Sequence, residues 1–495
     1  MTQAFPPIMS IGIDEPSRFE GEVFDLEVIE GAIPSELDGL FIQAVPEHQF
    51  PPHTPTISMM DASAGGDGLA RAIRFKNGHA DFLTRYVRTD RYVAERAARR
   101  SLFGHYRNPF SDDATVAGVD RTTANTAIYF HAGRLLASKE DGLPYEIDPA
   151  NLQTLGKWTA GGAITSKTLT AHPKFDPKSG EMVAFGYAAK GECTRDIAYY
   201  VIDRDGKVIH EAWFEAPVAA MIHDCAATDD YTVFPIMPLT SDTERLKQGG
   251  LHFQFDPDMP QYFGVIPRYG RSEDVRWFEA PRGFPGHTVN AFQVDGKIIF
   301  DVLEANGNGF GPMFPDKDGN FPPMGSLTTK LVRWTIDYQA NSLELTQRQE
   351  IARVTGEGPH IDERFALRDY RYAWIPGLDP TQIPRDQAGR PLPVMFNTLT
   401  RLDIATGETV QWFAGETATL QDPVYTPRSP DAPEGEGYLI SIVNHVFEKR
   451  SEVVILDAAN LPAGPIARIR IPVRLRTGIH ATWIEGTRLD AAANI

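Results

Sequence analysis

Four histidines stand in settings that could do chemistry together: His172 in LTAHPKFDP, His223 in AAMIHDCAAT, His287 in GFPGHTVNAF and His480 in RTGIHATWIE. Each lies at the edge of a β-like run beside small or apolar neighbours. They are 51, 64 and 193 residues apart, so no local metal motif is involved and any shared site has to be assembled by the fold. Four neutral imidazoles around one divalent ion suit iron, copper or zinc. With no carboxylate ligand the ion keeps its full charge, and two open coordination positions can hold dioxygen and a substrate side by side.

The elements that must bring these residues together read as all-β. Gly (42 residues) and Pro (38) are spread along the chain rather than gathered in linkers, with β-branched and aromatic runs between them. IRFKNGHADFLTRYV, YVIDRDGKVIHEAWF, NAFQVDGKIIFDVLE, TRLDIATGETVQWFAG and the looser YEIDPANLQTLGKWTA share one design, a strand, a tight turn and a second strand. Asn77-Gly78, Asp205-Gly206, Asp295-Gly296 and Thr406-Gly407 supply turn residues that tolerate positive φ. The hairpins recur from residue 70 past residue 450 without strict periodicity, which fits a β-propeller of divergent blades with long loops on one face. Two stacked β-sandwiches are the second architecture this pattern allows. In a propeller the inner strand of every blade ends near the axis, where histidines distant in sequence can meet. Helical signal is sparse; its clearest piece is DRYVAERAARR, Asp90 to Arg100, with Asp90 in capping position.

Charge and composition narrow the function classes. The 495 residues carry 48 basic and 66 acidic side chains, a net charge of −18, which argues against a surface that neutralises phosphates and so against a nucleic-acid partner. At 42% hydrophobic and 23% charged residues the composition is that of a folded globular protein. No Gly-rich phosphate loop, GxSxG elbow or CxxC pair occurs, so nucleotide-binding, α/β-hydrolase and zinc-finger classes lose support. Two cysteines, Cys193 and Cys225, suit a reducing compartment, and a cytoplasmic location is expected. The first thirty residues have no basic and apolar signal pattern, and no apolar run approaches the roughly 18 residues of a membrane span, so integral membrane association is not expected.

Around His223, AAMIHDCAATDDYTVFPIMPL resembles the carotenoid cleavage oxygenase superfamily, in which a MIHDF-type strand precedes an apolar VFP segment. Further motifs follow in the family's order. GAIPSELDGLFIQAVPE is similar to its entry segment IPxxLxGxYxRNGP, SAGGDGLARAIRF to its GDGM strand pair, and TAHPKFDPKSGEMVAFGY to its HPKxDPxTGE hairpin. HAGRLLASKEDGLPYEIDPANLQTLG resembles the stretch in which a Glu precedes GGxPY, GEGPHIDERFALRDYRYAW resembles EFPRIDxRFxGRxYRY, DPVYTPR resembles EPVFVPR, and RTGIHATWI resembles the closing GFHGxWI. The resemblance runs from residue 30 to residue 485.

It implies a single domain over residues 1–495, a seven-bladed β-propeller with long loops and a few short helices forming a cap over an axial metal site. It further implies Fe(II) held by His172, His223, His287 and His480, dioxygen as co-substrate, no organic cofactor, and cleavage of a carbon–carbon double bond into two aldehydes. Three carboxylates of the family receive ring N–H groups of the ligands. Carried onto this chain they are Glu140 for His223, Glu357 for His287 and Asp422 for His480, with His172 left without an acidic partner. Asp422 is one methylene shorter than the usual Glu, so His480 is expected to sit closer or to be reached through water. Ala64 stands where many relatives carry an aromatic residue, and QAVPE where RNGPN is common.

Two residues point to the kind of double bond. Tyr106 in LFGHYRNPF and Lys139 in ASKEDGLPY resemble the Tyr and Lys with which lignostilbene dioxygenases bind the 4-hydroxyl of their substrate. An ammonium or phenol hydrogen-bonded to that oxygen stabilises the phenolate, whose charge pushes electron density into the conjugated alkene. Phe310 and Phe314 in ANGNGFGPMFPD fall in a loop similar to the family's substrate-lining segment and could hold an aryl ring. The expectation is a non-haem Fe(II) dioxygenase acting on a small phenolic stilbenoid. Apocarotenoid cleavage and a catalytically silent propeller scaffold are the alternatives.

Overall fold

The Gly-containing turns reverse the chain where the dipeptides place them. Asn77 and Gly78 adopt φ of 52° and 79°, and Asp295 and Gly296 adopt 50° and 75°, the paired left-handed residues that a two-residue hairpin requires. Gly206 and Gly407 take φ of 82° and 74° in the other two turns.

The computed structural model describes residues 4–9, 13–55, 58–311, 313–322, 327–383, 385 and 396–492. Its hairpins build seven antiparallel sheets of four or more strands, and these are the blades of a seven-bladed β-propeller. The inner strands, in chain order, are β1 (Ala127–His131), β2 (Lys174–Phe175), β3 (Ala226–Ala227), β4 (Phe284–Val294), β5 (His360–Ile361), β6 (Val424–Pro427) and β7 (Ala481–Glu485). All seven contribute to the wall of one axial funnel of about 910 Å³. The ring closes twice. β7, from the C-terminal end, pairs with Gly39–Glu47, while Val28–Gly31 pairs with Pro465–Ile471 at the rim of the preceding blade.

Why the strands read as almost uniformly apolar follows from their two buried faces. In the blade of Gly39–Glu47, Phe41, Ile73 and Phe75 pack toward Ile440, Ile442 and Val453 on one side. Leu40, Ile42 and Ala70 pack toward Ile128 and Leu135 on the other. The period of two therefore sorts residues between neighbouring blades instead of between core and solvent.

Among the described residues the α-helices are Asp90–Ala98, Thr243–Lys247 and Gly486–Ala492. The cap of the first is Thr89, not Asp90: Thr89 Oγ1 accepts from Tyr92 N–H at 3.1 Å, while the Asp90 carboxylate takes Lys157 Nζ at 2.9 Å. Thr89 is the extended residue before the first turn, which is the geometry an N-cap needs. The outer face of this helix is exposed, but its inner face buries Glu95, whose Oε1 accepts the N–H groups of Leu102 and Phe103 at 2.8 and 3.1 Å. That clamp sets the path of the segment carrying Tyr106. Asn108 then donates to the carbonyls of Leu246 and Gly250, tying the segment to the second helix. The third helix starts at the end of β7 remote from His480 and packs Leu489 and Ala492 beside Ile484, so it is not part of the cap. No helix among the described residues is long and apolar enough to cross a membrane.

Candidate active site

Each of the four histidines is delivered by an inner strand. His172 stands two residues before β2, His223 three before β3 and His480 immediately before β7. His287 lies within β4 at a break of register between Pro285 and Thr288. The Nε2 atoms of His172 and His223, and of His223 and His287, are 3.2 Å apart, and one ring nitrogen from each of the four lies within 4.8 Å of the others. Ligands about 2.1 Å from a shared ion stand roughly 3.0–3.4 Å apart at tetrahedral or cis-octahedral angles, so the donor set fits one metal ion. Burial and the neighbouring imidazoles hold His172 well below its usual pKa, and burial lowers His480 as well, which keeps both lone pairs free for a metal. His287 goes the other way: burial opposes its charge, but the Glu357 carboxylate overrides it.

The carboxylates fix which nitrogen faces the axis. His223 Nδ1 lies 2.5 Å from Glu140 Oε2, and His287 Nδ1 lies 2.7 Å from Glu357 Oε2. Glu357 Oε1 also accepts the backbone N–H of His287 at 2.9 Å, an approach that a Cβ on Gly286, 1.9 Å away, would block. An Nδ1–H donated to a carboxylate turns Nε2 toward the metal position and makes it a stronger donor. No carboxylate lies within ion-pair distance of His172 among the described residues.

Asp422 does not draw His480 in. His480 Nδ1 does not sit closer; it lies 3.5 Å from Asp422 Oδ2, the longest of the three pairs. The same carboxylate accepts Ala481 N–H at 2.9 Å through Oδ2 and faces His360 Nε2 at 3.1 Å through Oδ1. His360, at the head of β5, thus spends its ring nitrogen on Asp422 instead of on the metal position. Sequence reasoning missed it, although it heads an inner strand as the ligands do. Asp422→Asn keeps the shape and removes the charge, and is expected to weaken metal retention by about 10–100-fold in competition with a chelator. His360→Ala is expected to produce a smaller loss in the same assay.

Tyr106 and Lys139 come together on one side of this centre. Lys139, only 3% exposed, donates to the Ala64 carbonyl at 3.0 Å and places Nζ 4.7 Å from the centroid of the Tyr106 ring. Ala64 therefore contributes through its backbone, while its methyl joins the apolar cluster that holds Met60 and Tyr106. Tyr106 Oη donates to Glu140 Oε1 at 3.3 Å, so it is joined through that carboxylate to His223. Tyr187, a residue sequence reasoning did not single out, donates to the same oxygen at 2.7 Å. Nothing local marks Tyr187, which sits at the end of an ordinary apolar strand. Burial, then the Glu140 charge, push Tyr106 well above the usual phenol pKa. Burial draws Lys139 down to about 8, with Asp141 pulling the other way.

The two phenylalanines part company. The Phe310 ring stands edge-on to His223 at 5.3 Å and packs on Phe284 at 6.0 Å, so it can wall a substrate beside the histidines. Phe314 is buried behind Tyr106, 6.5 Å from its ring and 5.4 Å from Phe253, where it supports the site without facing the histidines. The axial funnel touches His172, His287 and His480 but neither Tyr106 nor Lys139, so these two residues do not belong to it.

A family model described as retinal pigment epithelial membrane protein matches residues 14–485. The chain is 46% identical to isoeugenol monooxygenase of Pseudomonas putida over 94% of its own length and 96% of that enzyme. It is 42% identical to resveratrol cleavage oxygenase 1 of Aspergillus fumigatus, covering 96% of this chain and 95% of that one. The crystal structure of lignostilbene dioxygenase from Pseudomonas brassicacearum superposes with a TM-score of 0.93 at 46% identity, covering 98% of this chain and all of that one. With the propeller, the converging histidines and matches along nearly the whole sequence, the chain belongs to the retinal pigment epithelial membrane protein family, the carotenoid cleavage oxygenases.

Proposed function

We propose that the chain is an Fe(II)-dependent dioxygenase that splits the interphenyl double bond of 4-hydroxystilbenoids with O2, giving two aromatic aldehydes. The observation that carries this reading is the buried Lys139 ammonium facing Tyr106 beside the four-histidine centre. Iron(II), held by His172, His223, His287 and His480, supplies the activation of dioxygen when bound. The protein's own groups do the rest.

Lys139 spends one N–H on Ala64, leaving two for a phenolic oxygen and its surroundings. Tyr106 carries one hydroxyl proton, which it shares with Glu140 at 3.3 Å and can turn to a phenolate oxygen. Its raised pKa keeps its own proton in place, so Lys139, near 8, is the group that takes the substrate proton. The resulting phenolate, held by the ammonium, activates the conjugated alkene. A charged group at this end suits a phenol and not the apolar ring of a carotenoid. Two free cysteines fit a cytoplasmic enzyme.

This division of protons sets the pH profile. Reaction requires the enzyme–substrate pair to hold one proton between Lys139 and the phenol. Below about 8 it holds two, so kcat/KM is expected to rise about tenfold per pH unit up to about 8. It is expected to level off and then fall near the phenol's own pKa of about 10. A flat profile from pH 6 to 9 contradicts the assignment to Lys139.

A second reading has a specific support. The 46%-identical relative is named isoeugenol monooxygenase, and the same Lys139–Tyr106 pair can hold a phenol whose para alkene is a short propenyl chain. Aldehyde identification and oxygen uptake with a 4-hydroxystilbene, a 4-propenylphenol and an apocarotenal separate the readings. Turnover of the stilbene supports the first, of the propenylphenol alone the second, and of the apocarotenal alone neither.

A further inference from the structure

Behind the Lys139–Tyr106 pair lies a second, small cavity of about 30 Å³, separate from the axial funnel. Lys139 and Tyr106 form its inner wall, and the half-buried Pro52 and Thr54 form part of its outer wall. Between them, four residues that line it hold buried polar atoms with no hydrogen-bond partner: His48 Nε2, Arg91 Nε, Arg107 Nη1 and Nη2, and Thr123 Oγ1. Buried polar atoms are seldom left unpaired, because each gives up its water contacts with nothing in return. Four residues in that condition around one cavity are instead a built polar site. A water needs about 10–15 Å³, so the space holds about two.

The position of this site gives it a use. Once an aryl ring fills the front of the Lys139–Tyr106 pair, the proton that the Lys139 ammonium must give up before it can take the phenol's has its way out behind the pair, through the cavity. Lys139 has one protein acceptor, the Ala64 carbonyl, and so keeps an N–H for the cavity as well as one for the phenol. The surrounding charges oppose one another: Asp61 and Asp141 line the cavity together with Arg91, Arg107 and Arg121. Such a balance neither traps the proton nor excludes it.

We propose that this cavity is a water-filled proton route connecting Lys139 to solvent behind the bound phenol, with the Thr123 hydroxyl among its relay groups. The proposal rests on the phenol-binding reading of Lys139 and Tyr106. In the step it serves, the Lys139 ammonium first passes one proton to cavity water, which releases one toward Thr54. The phenol O–H then breaks as an N–H re-forms on Lys139, which leaves one proton on the pair as an ammonium beside the phenolate; the cavity path returns the exported proton when product leaves.

The test follows ionisation directly. Iron-loaded enzyme is mixed without oxygen with 4-hydroxy-4′-nitrostilbene, whose phenolate absorbs at longer wavelength than the phenol, and the shift is followed by stopped flow. Thr123→Val removes the hydroxyl at constant shape, and Thr54→Trp closes the outer end without touching Lys139. Both are expected to slow ionisation at least tenfold, with iron content and the final extent of ionisation unchanged. Parent-like rates in both variants overturn the route and leave the phenol reading standing. No ionisation in the parent enzyme overturns the phenol reading and the route with it.

Discussion

Replacing His287 by alanine is expected to leave a folded protein that holds no iron and turns over no substrate. His287 lies in β4, an eleven-residue strand paired along much of its length with Lys297–Ala305, so its side chain can go without loss of the blade. Its backbone N–H keeps its bond to Glu357, but the carboxylate then has no imidazole to orient. Three ligands remain of a set whose nitrogens otherwise lie within 4.8 Å of one another. Turnover is expected to drop by at least about a thousandfold, or ~4 kcal/mol. Metal analysis and circular dichroism of the same sample separate metal loss from unfolding. Full iron and full turnover in this variant would remove His287 from the metal centre.

Lys139→Met is expected to spare iron and cost activity. Lys139 touches none of the four histidines; its contacts are the Ala64 carbonyl and the Tyr106 ring. Met fills the buried space without the charge. Losing one donor aimed at a developing oxyanion costs about 10²–10³ in rate, ~3–4 kcal/mol, and a loss of that size in kcat/KM is expected here. The limb of the pH profile near 8 is expected to vanish with it. Arg in place of Lys is not expected to restore activity, because a planar fork does not fit where a single Nζ sits 3.0 Å from a carbonyl. A Lys139→Met enzyme with parent kcat/KM contradicts the role given to this side chain.

What could be read in advance divides by the range of the interaction. Turn dipeptides and alternating strands act over a few residues, so the hairpins and the all-β class were legible. The histidines were legible through the segments around them, since each motif binds the ligand to the strand that delivers it. Asp422 stands beside His480, but its second partner was not legible: His360 lies 62 residues earlier, on another blade, and no local signal ties the two together. Tyr187 was missed for the same reason, as its hydroxyl meets Glu140 across 47 residues. The double closure, in which the last inner strand joins the first blade and an N-terminal strand joins the last, depends on pairings more than 400 residues apart and left no trace in either segment alone. Phe310 and Phe314 show the limit within a single loop. Four residues apart, one faces His223 and the other lies behind Tyr106, a difference decided by how the loop folds and not by residue type.

The most direct measurement is the rate of aldehyde formation by iron-loaded enzyme with a 4-hydroxystilbene and with its 4-O-methyl ether, at pH 8 and equal concentration. The ether keeps the rings, the alkene and the apolar contacts and removes only the ionisable oxygen that Lys139 and Tyr106 are placed to meet. Cleavage of the phenol at least about a hundred times faster than the ether is the expected result. Equal rates would contradict phenolate activation and leave the four-histidine centre without the partner assigned to it.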